Sequence, residues 1–365
     1  VRRREVLLGS LALGALGVPA RARAAAISVV DQAGRTVTLD RPARRLVLSD
    51  GIDLIALGLI HDRPVELLAG WNATWLDADT LATLEAADPR LAAVPKLGAS
   101  SPDALPIEKL IALSPDLVVL SPYFASHAAG VAALERAGIA VAVLQPSPSL
   151  RDGAQGLALL GRLIGRDAQA DAYLSFFRAR SGAIRDRLAK AGGPRPPVLL
   201  EAHAGAGPCC MSPGRGQSIG DLVDAAGGRN IGEDVIAGMA GQLSLEHVLA
   251  AEPQIYVGTG GAYLAARGGL VLGPRRTVDE ARASLARALA RPGLSEIPAI
   301  RHGRAYGLWH DLARSALNLV ALEALARWIR PDLFGDLSPQ AMLDRINAEF
   351  SAFPVTGALW VEARP

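Results

Sequence analysis

The side chains with binding chemistry sit in short clusters that follow apolar runs. Trp71 and Trp75 share the stretch Gly-Trp-Asn-Ala-Thr-Trp, and Tyr123 comes just after Leu-Val-Val-Leu. Arg215 lies in Met-Ser-Pro-Gly-Arg-Gly, Tyr263 and Arg267 follow Ile-Tyr-Val-Gly-Thr-Gly-Gly-Ala, and Trp309 with His310 ends a late apolar run. Aromatic faces, hydroxyls and guanidinium forks suit the capture of a bulky molecule with apolar edges and polar handles. Each tryptophan also suits a packed core. Asp50 and Gly51, after the first apolar run, suit the same wall, although Asp50 equally suits a helix cap.

Catalytic and metal-binding alternatives are weaker. Gly216-Gln217-Ser218-Ile219-Gly220 matches Gly-x-Ser-x-Gly, but a nucleophile elbow needs a strand directly before Ser218, and loop sequence precedes it. The chain is therefore not expected to be an enzyme. The six histidines, at 61, 127, 203, 247, 302 and 310, show no pair at metal-ligand spacing, so no resident metal is expected. Cys209 and Cys210 are adjacent, so they suit a strained vicinal bridge, two small partly buried residues or a soft contact to the ligand; none of these is a long-range staple.

These residues need a scaffold, and 365 residues exceed what one hydrophobic core usually organises. The chain is 50% hydrophobic and carries 38 basic against 36 acidic residues. The first 24 residues hold five Arg and one Glu; without them 33 basic face 35 acidic residues, a net −2. No basic tract follows, so nucleic acid is not an expected partner. Arg2-Arg3-Arg4, the apolar run 6–18 and Ala-Arg-Ala-Ala-Ala read as an export signal over 1–26, with a twin-arginine pattern at Arg3-Arg4. No later apolar run is long enough to span a bilayer, and a soluble mature chain is expected.

An internal echo organises the rest. Residues 105–120 and 243–258 align on Glu108 and Glu246: an acid at a short helix start, an apolar face, a Pro that stops it, then a buried strand. Further strands are expected at 45–49, 140–144, 198–201 and 305–308. Helical segments alternate with them, which predicts an α/β fold of mainly parallel lobes, 27–150 and 193–365. Residues 151–192 lack strand signals. Leu157, Leu160 and Leu163, then Tyr173, Leu174, Phe177, Ile184 and Leu188, mark two helical stripes, with a stop at Gly165 and a new N-cap at Asp167. Ligands in open α/β sheets sit beyond the strand carboxyl ends, so the two echoed ends are expected to share a cleft.

The echo, the helical bridge and the export signal resemble the iron-siderophore, haem and cobalamin family of ABC-transporter substrate-binding proteins. The resemblance runs over essentially the whole mature chain. It is carried by Arg-Pro-Ala-Arg-Arg-Leu-Val-Leu-Ser at 41–49, Pro-Lys-Leu-Gly at 95–98, Ile-Glu-Lys-Leu-Ile-Ala-Leu-Ser-Pro-Asp-Leu-Val at 107–118, 219–231 and 299–306. The tail around 322–334 is similar to a ferric-complex subgroup, which commonly has Ser-Pro where this chain has Ser315-Ala316. The resemblance implies two Rossmann-like lobes joined by a long connecting α-helix, the class III arrangement. It also implies no permanent cofactor, and a monomer in the periplasm that serves an ABC permease and its ATPase. A ferric siderophore, often anionic and needing one or two cations from the protein, is the expected ligand. Haem or cobalamin is the alternative, and molybdate a remoter one. His310 suits completing the coordination of an under-ligated iron. Glu108 and Glu246 match the two acids that dock onto permease Arg residues, although each acid also suits its own helix end.

Overall fold

The computed structural model describes residues 26–148, 150, 154–216 and 218–363. The expected export segment, apart from Ala26, lies outside the described residues. A hairpin of Ile27–Val30 and Thr36–Leu39 comes first. Four strands follow: β1 (Leu46–Leu48), β2 (Leu68–Trp71), β3 (Leu117–Leu120) and β4 (Ala140–Val143). They form a parallel sheet in the order β2-β1-β3-β4, with Val47 beside Val118 and Val118 beside Val141.

A second sheet holds β5 (Pro197–Glu201), β6 (Arg229–Asn230), β7 (Ile255–Gly260), β8 (Ala305–Trp309) and β9 (Trp360–Glu362). Its order is β9-β8-β7-β5-β6, and only β9 at the edge runs antiparallel. Helices cover both faces of such sheets, so central strands read as unbroken apolar runs. All four residues of β3 and all six of β7 are buried.

Among the helices, α1 (Asp53–Ile60), α2 (Ala78–Ala87) and α3 (Ile107–Ala112) belong to the first lobe, and α2 packs against Gly273–Pro274 of the second. Then comes α4 (Asp167–Ala191), followed by α5 (Leu245–Ala250), α6 (His310–Arg314) and α7 (Asn318–Ile329) on the second. The echo holds down to the backbone: α3 and α5 are each followed by a left-handed residue, Ser114 (φ 46°) or Glu252 (φ 44°), and then by Pro.

The connecting helix α4 has 25 residues, about 37 Å at 1.5 Å per residue. One end is tied to the first lobe, where Arg166, just before the helix, meets His61 Nε2 at 3.1 Å. In its first half the Tyr173 hydroxyl donates to Ala316 O at 2.6 Å, and farther on Arg180 pairs with the buried Glu323 of α7 at 2.6 Å. Tyr173, Leu174, Phe177 and Ile184 face one apolar core that runs through both sheets. The stop at Gly165 (φ 69°) is present, but Asp167 lies in the first turn and Arg166 takes the cap position.

Candidate functional site

The strand order reverses beside β1 and β3 in one sheet and beside β5 and β7 in the other. Residues beyond those carboxyl ends line one cavity of about 550 Å³ between the sheets. The first lobe contributes Asp50, Trp75, Ser121, Tyr123, Gln145 and Ser147. The second contributes His203 after β5, Thr259 near the end of β7, and His310 and Arg314 on α6, with Met211 and Met239 beside them.

The first wall is aromatic. Trp75 (39% exposed) lies 5.5 Å from Tyr123 (46% exposed) and stacks on the buried Phe124 at 5.2 Å, ring centre to ring centre. The loops beneath are pinned. Asn72 Nδ2 donates to Ser49 O at 3.1 Å and Ala99 O at 2.9 Å, and Ser121 N donates to Ser49 Oγ at 2.8 Å. Gly51 is required where the chain turns: a Cβ there would stand 2.7 Å from Asn72 O.

The opposite wall carries two imidazoles 4.4 Å apart, His203 and His310. His203 Nδ1 is 2.6 Å from the Tyr263 hydroxyl, and His310 Nδ1 is 3.1 Å from Thr259 Oγ1. Each Nε2 is left without a protein partner among the described residues. Burial, His203 and Arg314 together push His310 down to about 3, and burial with Arg314 lowers His203, so both rings are neutral at pH 7.

Below them lies a charged floor. Arg314 Nε donates to Asp311 Oδ1 at 2.7 Å, and Nη2 reaches across to Asp50 Oδ1 at 3.5 Å. Burial raises Asp311 to about 6, and burial with Asp50 raises Asp53 well above the usual carboxylate value.

Of the residues expected from the sequence, Trp75, Tyr123 and His310 come together on the cavity wall, as does Asp50. Trp71 and Trp309 do not. Each is the last residue of its strand and fully buried (0% exposed), because β2 and β8 are covered on both faces at that end and either face leads into packed core. Tyr263 stands behind His203 as its hydrogen-bond partner rather than on the wall. Arg215 and Arg267 are exposed and lie off the cavity wall. Among the described residues, the cation that faces the cavity is Arg314 instead. It sits four residues after His310 on one short helix, a spacing that places it on the same face.

Cys209 and Cys210 are disulfide-bonded to each other, and the adjacent Glu201 holds Arg291 and the Tyr256 hydroxyl, so this cluster is spoken for. Helix Ser218–Ala225 follows the short strand Met211–Pro213 after a loop; Gln217 and the Ser218 side chain lie outside the described residues. Glu108 and Glu246 are exposed in the first turns of α3 and α5, and neither pairs with another described residue.

Comparison with known proteins decides the family. The model of the periplasmic binding protein family matches residues 55–312, more than half of the chain. The chain belongs to the periplasmic binding protein family. A cobalamin-binding protein of Halobacterium salinarum is 34% identical over 128 residues, 35% of this chain and 33% of that protein. The chain thus matches only about a third of that relative's length. The crystal structure of a TroA-like periplasmic binding protein, FepB, from Veillonella parvula superposes with a TM-score of 0.82 at 26% identity, covering 92% of this chain and 99% of that one. An Fe3+-hydroxamate transport system structure from Saccharomonospora viridis shares the fold, with a TM-score of 0.56 at 20% identity over 82% and 98% of the two chains. The expected class III architecture and the siderophore, haem and cobalamin branch are both borne out. Periplasmic binding proteins of this kind deliver solutes to ABC importers. They are not enzymes, and what they carry is cargo rather than a resident cofactor. No helix among the described residues is long and apolar enough to cross a membrane.

Proposed function

We propose that this periplasmic binding protein captures a ferric siderophore in the inter-lobe cavity and presents it to its permease. The observation that carries the reading is the cavity itself. One wall is the Trp75–Tyr123 aromatic pair, and the other holds two neutral imidazoles with uncommitted Nε2 atoms. The aromatic wall covers the apolar edge of a chelate, and the imidazoles offer nitrogen to a metal with open coordination positions. An Fe3+-hydroxamate protein of the same fold supports the reading. A corrinoid is the second reading, favoured by the cobalamin-binding relative, and haem fills the same space as a further alternative.

Docking in this reading uses Glu108 and Glu246, whose carboxylates stand free at equivalent helix starts, one per lobe, to meet permease Arg residues. The protein acts as a periplasmic monomer, exported through its Arg3-Arg4 signal. The test is quenching of tryptophan fluorescence against hydroxamate, catecholate and citrate ferric chelates, haem and cobalamin. Saturable quenching by a ferric chelate supports the first reading; quenching by cobalamin or haem alone replaces it.

A further inference from the structure

We infer that the cavity selects complexes of zero or positive net charge and rejects anionic ones. The inference rests on the cargo reading above and sharpens it. It also departs from the expectation that the protein supplies one or two cations to an anionic chelate. Among the described lining residues, the acid and base groups besides the two uncharged histidines are Asp50, Asp53 and Arg314, and burial with Asp50 favours the neutral form of Asp53. The one guanidinium is already committed, to Asp311 at 2.7 Å and to Asp50 at 3.5 Å. Behind it, Asp77 also acts on Asp311, and its Oδ2 is buried without a hydrogen-bond partner. The floor therefore sets three carboxyl groups, those of Asp50, Asp53 and Asp311, around a single cation, with Asp77 beyond Asp311. Arg276, on the second lobe, is paired with Asp79 of α2.

An incoming anion would have to pull Arg314 from its carboxylates or sit beside them in a cavity of low polarity. Either way it meets repulsion that solvent screens poorly. A neutral complex avoids this cost, and a cationic one gains from it. The rest of the wall suits such cargo, since Trp75, Tyr123, Met211 and Met239 present apolar and polarisable surface rather than charge.

The test holds shape constant and varies charge. A linear ferric trihydroxamate with a terminal amine (charge +1), its N-acetyl form (0) and its N-succinyl form (−1) make one series. Aqua-, cyano- and sulfitocobalamin make a second with the same charges. In whichever series binds, the dissociation constant should rise from +1 to −1 by about tenfold or more, equivalent to roughly 1.4 kcal/mol. Asp50→Asn should narrow the preference and Arg314→Gln should widen it, opposite shifts that general loss of structure would not produce. Equal affinity across a series that binds, or preference for the anion, overturns the inference and leaves the cargo reading standing. Binding in neither series while an anionic catecholate or citrate chelate binds overturns the inference and leaves the cargo reading standing; binding of none of these chelates, of haem or of cobalamin removes both.

Discussion

His310 is neutral because it is buried beside a second imidazole and a guanidinium, and that fixes how the protein responds to acid. Its folded value of about 3 lies below the ordinary 6.5. As pH falls below about 6.5, the unfolded chain takes up a proton that the folded ring refuses until about 3. Stability therefore falls across that window. Asp311 works the other way: raised to about 6 from 3.8, it takes its proton first in the folded state and adds stability as pH falls between those values. His310→Gln removes the first effect and keeps the second. The loss of unfolding free energy between pH 7 and pH 5 should shrink by about 1 kcal/mol, a full-shift estimate near 2 being halved for partial exposure of the ring. Urea denaturation at the two pH values measures this, and an unchanged loss would mean the ring is charged in the folded state. At this scale, chemistry was partly legible in sequence. Trp75, Tyr123 and His310 follow strand ends, where ligands gather, and lie on the wall. Trp71 and Trp309 belong to strand ends themselves, and only the cover on both faces of β2 and β8, which is not local to the sequence, puts their rings in the core. Arg215 looked available in its Gly-rich loop and is indeed exposed, but nothing local says which way such a loop faces.

The element that decides how the two walls meet is α4. Its apolar stripe of Tyr173, Leu174, Phe177 and Ile184 was readable from spacing alone, as were the long buried strands β3 and β7. The four-residue β2, containing a Gly, and the two-residue β6 carry too little pattern to be read, since their pairing comes from the sheet rather than from their own sequence. A helix anchored at Arg166 to one lobe and at Arg180 to the other resists bending between them. Arg178 is exposed in its interior, so Arg178→Pro removes a helical hydrogen bond and introduces a ring clash without disturbing the core. It should cost about 3 kcal/mol in urea denaturation and weaken ligand binding, whereas Arg178→Ala should do neither. Wild-type stability and affinity in the proline variant would show that the lobes do not depend on an unbroken strut.

At the level of the whole molecule, two strand-end loops share one cavity while two free carboxylates stand outside it, so capture and delivery are separable. Reversing both, as Glu108→Lys with Glu246→Lys, should abolish uptake through the permease and leave the dissociation constant within about twofold, because exposed residues away from the cavity contribute little to it. Weakened binding by the double variant would place these acids in the ligand site instead. The pairing of the two strand ends was foreseeable from the echo at 105–120 and 243–258; the acidic floor was not, because Asp50, Asp77, Asp311 and Arg314 converge only when both lobes are assembled. The most direct test of the cavity as the seat of cargo is an anomalous-difference map at the metal's absorption edge, from crystals grown with a bound ferric or cobalt complex. One peak is predicted, bounded by Trp75 and Tyr123 on one side and by His203 and His310 on the other. A peak elsewhere, such as the groove beside Arg180 and Arg345, would contradict the account.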